Sequence, residues 1–239
     1  MARSRLVIAI DGPSGAGKST VARAVALKLG LSYVESGAMY RAVALVALES
    51  GTPLDDSAAL GAVAARVNFR FETSASGNRL WLDGRDVTEA IRSAEVTHAA
   101  SLVSTHAVVR KHLVERQRAL GAAGGVVMEG RDIGTVVFPD ADVKIFLDAS
   151  PEVRGRRRLK DVHDAEGLSA ETVLVEIAER DRRDQTRDIS PLAPAPDAVR
   201  IDTTTLAADE VVERILKIAG AAQRNRDRNL GMETKPPNR

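Results

Sequence analysis

Leu6-Val7-Ile8-Ala9-Ile10-Asp11, followed directly by Gly12-Pro13-Ser14-Gly15-Ala16-Gly17-Lys18-Ser19, decides the fold. The opening residues form a continuous apolar run closed by Asp11-Gly12-Pro13, which reads as a strand buried on both faces, as in a parallel sheet. The next eight fit Gly-x4-Gly-Lys-[Ser/Thr], and a helical pattern from Ser19 to Leu29 opens where they end. Strand, glycine loop and helix in that order make a phosphate loop. Its glycines let backbone N–H groups turn inward with no Cβ in the way, and the helix N-terminus adds its positive end. Lys18 supplies a mobile charge for β- and γ-phosphates, and the Ser19 hydroxyl is a Mg²⁺ ligand. ATP is therefore expected on Gly12, Pro13, Ser14, Gly15, Ala16, Gly17, Lys18, Ser19 and Thr20. The loop alone does not separate a kinase from a switch or a motor.

Working outward, Val126-Val127-Met128, Val143 to Leu147 and Val199-Arg200-Ile201 are further apolar runs of the same kind, with Leu31 to Val34 a weaker fifth. Helical patterns at Met39 to Leu48 and Leu206 to Ala219 lie between or after them. Strands alternating with helices predict an α/β protein of the P-loop NTPase type, with a doubly wound, five-stranded parallel sheet. One stretch breaks the alternation. Val67, Phe69 and Phe71 alternate with polar residues, a turn-rich segment follows, and Arg79 to Leu82 alternates again. Residues 63–93 are read as a small antiparallel β insert, with 1–62 and 94–222 forming the core and 223–239 a disordered tail. Trp81 is assigned to packing of that insert rather than to a ligand.

Composition narrows the function. The chain has 239 residues, no cysteine and a formal net charge of +1. Disulfides and cysteine-bound metals are excluded, and no bulk pull toward nucleic acid or a membrane surface is implied. Aromatics at 3% leave few platforms for stacking single-stranded bases. No apolar run approaches a membrane span, and the N-terminus does not read as a secretory leader, so a cytoplasmic location is expected. A monomer with no nucleic-acid and no membrane partner is the expectation.

The chain resembles the bacterial cytidylate kinases, a nucleoside monophosphate kinase family. The resemblance is carried by Ser36-Gly37-Ala38-Met39-Tyr40-Arg41, by Glu129-Gly130-Arg131-Asp132-Ile133-Gly134-Thr135 with Val136-Val137-Phe138-Pro139, by Lys144 to Ala149, and by Glu179 to Asp184 with Arg187 beyond. It runs from about Leu6 to Ala219. It implies phosphoryl transfer from ATP to CMP or dCMP, with Mg²⁺. It further implies that Arg41, Arg131 and Arg187 hold the acceptor phosphate and that Ser101, Arg110 and Asp132 read cytosine. Arg180 and Asp184 would then meet the ribose, with Ser36 also in the CMP site. Lys18, Arg131, Arg158 and Arg187 are the implied catalytic cations. An arginine-rich lid is placed at 154–166. Glu129 stands where many members carry Asp; the longer carboxylate can still hold a Mg²⁺-bound water beside Ser19.

The same residues can be read without the family. Asp132 follows an apolar strand, at the carboxyl edge where open α/β sheets bind ligands, and can accept from cytosine N4. A solvated loop carboxylate is the plainer alternative. Val173, Ile177, Arg180, Asp184 and Arg187 follow steps of 4, 3, 4 and 3, so one helix face runs from apolar core into charge. Surface ion pairs Glu176–Arg180 and Arg180–Asp184 would explain those charges differently. Ser101 and Arg110 can serve one base only if the helix between them breaks, with Ser104-Thr105 as a new N-cap. The cluster Arg154, Arg156, Arg157, Arg158 and Lys160 reads as a lid first, a solvated face second and an RNA patch third. The four histidines lack metal-ligand spacing. Rival functions are a phosphate-loop kinase for UMP or a non-nucleotide acceptor, and a nucleotide-dependent RNA-binding switch.

Overall fold

The computed structural model of the chain describes residues 5–74, 77–161 and 170–229. Strand β1 (Val7–Asp11) is buried at every position, as its unbroken apolar run requires. It lies at the centre of a five-stranded sheet with β2 (Ser32–Glu35), β6 (Val126–Gly130), β7 (Val143–Asp148) and β8 (Val199–Asp202), in the order β2-β6-β1-β7-β8. All four pairings are parallel. β1 pairs with β6 on one side and β7 on the other, so the chain reverses its direction of travel across the sheet there. A crevice outside the strand carboxyl ends follows from that order.

Pleating sends Ile8 and Ile10 to one face, where they pack with α1 (Lys18–Leu29) and α8 (Ala208–Asn229) through Val21, Val25, Val211 and Ile215. Val7 and Ala9 take the other face with Met128, Ile133 and Phe138. A third apolar cluster joins α2 (Ser36–Glu49), α3 (Ser57–Arg66), α4 (Ala94–Val103) and α5 (Ala107–Leu120) to a separate small sheet. That sheet is antiparallel and three-stranded: β3 (Phe69–Ser74), β4 (Gly77–Leu82) and β5 (Arg85–Asp86). The Asp83-Gly84 turn places both residues at positive φ, the two-residue hairpin geometry. Leu80 and Leu82 point inward. Trp81 does pack the insert: Arg70, its cross-strand partner, stacks at 4.7 Å from the ring centroid, and its Nε1 donates to Glu72 at 3.1 Å.

The sequence boundaries need correction at several points. The insert expected from residue 63 begins inside α3, and its strands span 69–86. The disordered tail expected from 223 does not start there, because α8 continues to Asn229; residues 230–239 lie outside the described ones. The expected lid at 154–166 is helical through α6 (Pro151–Asp161), and its remainder lies outside the described residues. The break between Ser101 and Arg110 is present, but its chemistry differs from the expected cap. Ser104 closes α4, its Oγ donating to Ser101 O at 2.9 Å, while Thr105 Oγ1 donates to Leu102 O at 2.8 Å. The N-cap of α5 is His106, which lies within hydrogen-bond distance of Ser57 Oγ (2.5 Å) and Leu54 O (2.9 Å). That ring pins the break to the segment before α3.

Candidate active site

The carboxyl ends of β1, β2 and β6 open into a cleft of about 460 Å³. One side of it is the loop after β1. Gly12 has φ 149°, and a Cβ there would lie 2.0 Å from the Leu147 carbonyl oxygen; at Gly15, φ 76°, it would lie 2.6 Å from Arg154 O. Only glycine fits either position. Lys18 folds back to donate to Pro13 O at 2.7 Å and is almost fully buried. Burial, reinforced by repulsion from Arg131, pulls its ammonium down to about 7. Ser19 Oγ donates to Glu129 Oε1 at 2.8 Å. Burial raises the Glu129 carboxyl against the attraction of Lys18. Ser14, Gly15, Gly17, Lys18, Ser19 and Thr20 line the cleft. Ala16 is buried and lends its carbonyl to Thr203 Oγ1 at 3.2 Å.

The opposite side is built from side chains spread over α2, α4, α5, the β6 end and α7 (Ala170–Thr186). Ser36 Oγ donates to Glu129 O at 2.7 Å. Arg41 pairs with Glu35; burial works against that carboxylate, yet the guanidinium wins and holds it below the usual range. Arg110 pairs with Asp132, both buried, and its guanidinium sits 5.4 Å from the Tyr40 ring centroid. Arg187 lies 3.9 Å from Asp132 and 3.6 Å from Asp184, and Arg131 Nε donates to Asp184 at 2.9 Å. Arg180 lines the same cleft, brought down to about 9 by burial and by Arg131. Buried atoms with no hydrogen-bond partner belong to residues lining the cleft: Arg110 Nε, Tyr40 Oη, Arg41 Nε and Arg187 Nη2; Ser101 Oγ is also buried without a partner, but Ser101 is not among the residues that line the cleft. Such atoms call for a polar guest.

The α7 stripe therefore runs as the spacing predicts, with Val173 and Ile177 in the core and Arg180, Asp184 and Arg187 in the cleft. Asp132 is not a solvated loop carboxylate. The basic run at 154–160 is not uniform. Buried Arg154 donates to Ser14 O (3.2 Å) and Ala149 O (3.1 Å) and pairs with Asp181, which also accepts from Ser14 N at 3.4 Å. Arg157 is engaged by Thr203 at 2.8 Å through both terminal nitrogens. Arg158 is the member of the run that lines the cleft among the described residues. Sequence reasoning missed Glu35, Tyr33, Asp181 and Asp11. Asp11 had a visible signal: a carboxylate ending an otherwise apolar buried strand. Its Oδ1 accepts from Ile133 N at 2.8 Å and its Oδ2 from Gly134 N at 2.7 Å. Burial pushes it up to about 7, with those two amides pulling back.

A phosphate loop at the reversal point of this sheet, facing a second wall of paired arginines and carboxylates, defines a phosphate-loop kinase. The comparisons narrow the class. The cytidylate kinase family model matches residues 8–221, and the chain belongs to that family. Among its curated relatives, a cytidylate kinase of Pelotomaculum thermopropionicum is 52% identical over 91% of this chain and 97% of its own length. One from Geobacillus sp. (strain WCH70) is 50% identical over 90% and 97%. A bifunctional pantoate ligase/cytidylate kinase of Synechococcus sp. (strain JA-3-3Ab) is 51% identical over 90% of this chain but 40% of its own length.

Proposed function

We propose that this chain transfers the γ-phosphoryl group of ATP to CMP or dCMP, giving ADP and CDP or dCDP. The observation that carries the substrate is the buried Arg110–Asp132 pair, which lines the cleft. A carboxylate oxygen of Asp132 accepts from cytosine N4, and the arginine donates to the ring's acceptors. Uracil presents O4 in place of N4 and meets the carboxylate with repulsion.

The rest of the wall follows from charge. A nucleotide phosphate has a second pKa of about 6, so the attacking oxygen is already ionised at neutral pH and no general base is required. The barrier is the approach of two polyanions. Lys18 and Arg158 serve the donor phosphates, while Arg41, Arg131 and Arg187 bind the acceptor phosphate and hold the line of transfer. Arg180 and Asp184 meet the ribose, and Ser36 completes the acceptor site. Ser19 and Glu129 form a hard-oxygen pair suited to Mg²⁺, Ser19 directly and Glu129 through water. Mg²⁺ held there would supply charge neutralisation for the donor phosphates.

ADP release measured in a coupled assay with ATP, Mg²⁺ and each nucleoside monophosphate in turn tests this reading. CMP and dCMP should turn over far faster than UMP, AMP or GMP. Equal turnover of UMP, or no acceptor-dependent turnover, would refute it.

A further inference from the structure

We propose that Asp11 is a positioning residue for acceptor recognition, its carboxylate fixing the backbone that presents Arg131 and Asp132; this rests on the cytidylate kinase reading above. The β6 ladder ends at Gly130, which is registered against Asp11. Beyond that point the chain enters Arg131-Asp132 and then a single π-helical turn, Ile133–Val137. Within the turn, Val136 and Val137 donate to Asp132 O, and Phe138 donates to Ile133 O. The amides of Ile133 and Gly134 have no such backbone partner. They go one each to the two oxygens of Asp11. A carboxyl group whose two oxygens accept from two successive N–H groups at the start of a turn fixes both the position and the direction of that turn. It lies within two residues of both Arg131 and Asp132.

The anchor acts on the acceptor loop rather than on the donor loop. Asp11's own backbone is held in the sheet from both sides, by Gly130 and by Phe146. The donor loop leaving it is fixed by that ladder, by Arg154 on Ser14 O and by Thr203 on Ala16 O. None of these needs the Asp11 side chain. Asp132, in contrast, depends on the loop's path to bring its carboxylate to Arg110 and Arg187. Freed from Asp11, the loop can shift, and a misplaced Asp132 loses discrimination at the base before it loses phosphate transfer.

Asp11→Asn tests this. The amide keeps the size but turns an NH₂ donor toward one of the two N–H groups, so one hydrogen bond becomes a donor–donor contact. The expected result is a KM for CMP raised roughly tenfold and a CMP-over-UMP preference in kcat/KM reduced roughly tenfold, with the KM for ATP within about twofold of wild type. A purely structural role would lower stability or lower all kinetic constants together without moving the base preference. Asp11→Ser, small and neutral with one acceptor, is the second variant, and thermal melting checks that each is folded. A folded variant with unaltered CMP-over-UMP preference overturns the proposal, as does a parallel rise in both KM values. If neither variant folds, Asp11 is a folding residue and the proposal also fails. Wild-type protein without CMP-dependent turnover would instead sink the functional reading itself.

Discussion

The two walls of the cleft are built on opposite plans. The donor wall is one contiguous loop in which backbone does the binding, held in shape by glycine and by the strand before it. The acceptor wall is drawn from positions as far apart as Ser36 and Arg187, and side chains do the binding. Backbone groups are oriented by the fold alone, whereas long arginines must be held in place by something else. Here internal carboxylates hold them: Glu35 for Arg41, Asp184 for Arg131, and Asp132 for Arg110 and Arg187. The donor wall therefore tolerates little backbone change, and the acceptor wall little change in charge.

The harshest test of that contrast is the lysine of the phosphate loop. Lys18→Ala should lower kcat by ~10³-fold or more, since the charge acts on the transferring group. Because burial already disfavours the ammonium, the variant should melt no earlier than wild type. An early-melting variant would mean that Lys18 holds the loop through Pro13 instead. Next is the brace beneath the loop. Arg154→Leu leaves Asp181 buried and unpaired, which should cost about 3–5 kcal/mol in a urea unfolding curve. Arg154→Leu with Asp181→Leu should recover much of that loss.

A pH series separates the anchor between the walls from both. The Asp11 carboxyl is raised from 3.8 to about 7, so the folded state holds a proton that the unfolded state has released. Its contribution to stability is complete below pH 3.8 and is lost as pH rises through 7. Between pH 5 and 8 the loss should be roughly 2–3 kcal/mol, present in wild type and absent in Asp11→Asn. Lys18, lowered to about 7 and in electrostatic contact with Asp11, titrates in the same range, so the series is repeated in Lys18→Ala and in the Lys18→Ala/Asp11→Asn double variant, whose difference isolates Asp11. A flat profile in Lys18→Ala over that range would show Asp11 ionised throughout. The smallest effect is the most selective: Asp132→Asn should cut CMP kcat/KM by about tenfold or somewhat more and raise the relative use of UMP. An equal loss for both bases would assign Asp132 to holding Arg110 alone.

The same contrast explains what could be read from the sequence. The shape of the loop after β1 was legible, because eight consecutive residues carry its pattern and Gly12 and Gly15 have no substitutes. The sheet was equally open, since strands buried on both faces appear as unbroken apolar runs. For the acceptor wall, the spacing from Val173 to Arg187 correctly placed one helix face in the cleft. What no pattern revealed was partnership. Arg154 and Arg158 look alike in a basic run, yet one is buried against Ser14 O and the other lines the cleft. The α4–α5 break was expected from the need to bring Ser101 and Arg110 together, but the residue capping it is a histidine tied to a loop about fifty positions earlier. Contacts of that range leave no periodic trace.

The ion pairs that preset the cleft arginines also give the cleft its own counterions. A guanidinium already neutralised by a neighbouring carboxylate is a poor trap for stray sulfate, inorganic phosphate or polynucleotide, since each would have to displace an anion covalently tied to the protein. A nucleotide that satisfies phosphate, sugar and base sites together makes that exchange at several points at once. Occupancy should accordingly depend on ionic strength less steeply than the number of arginines suggests.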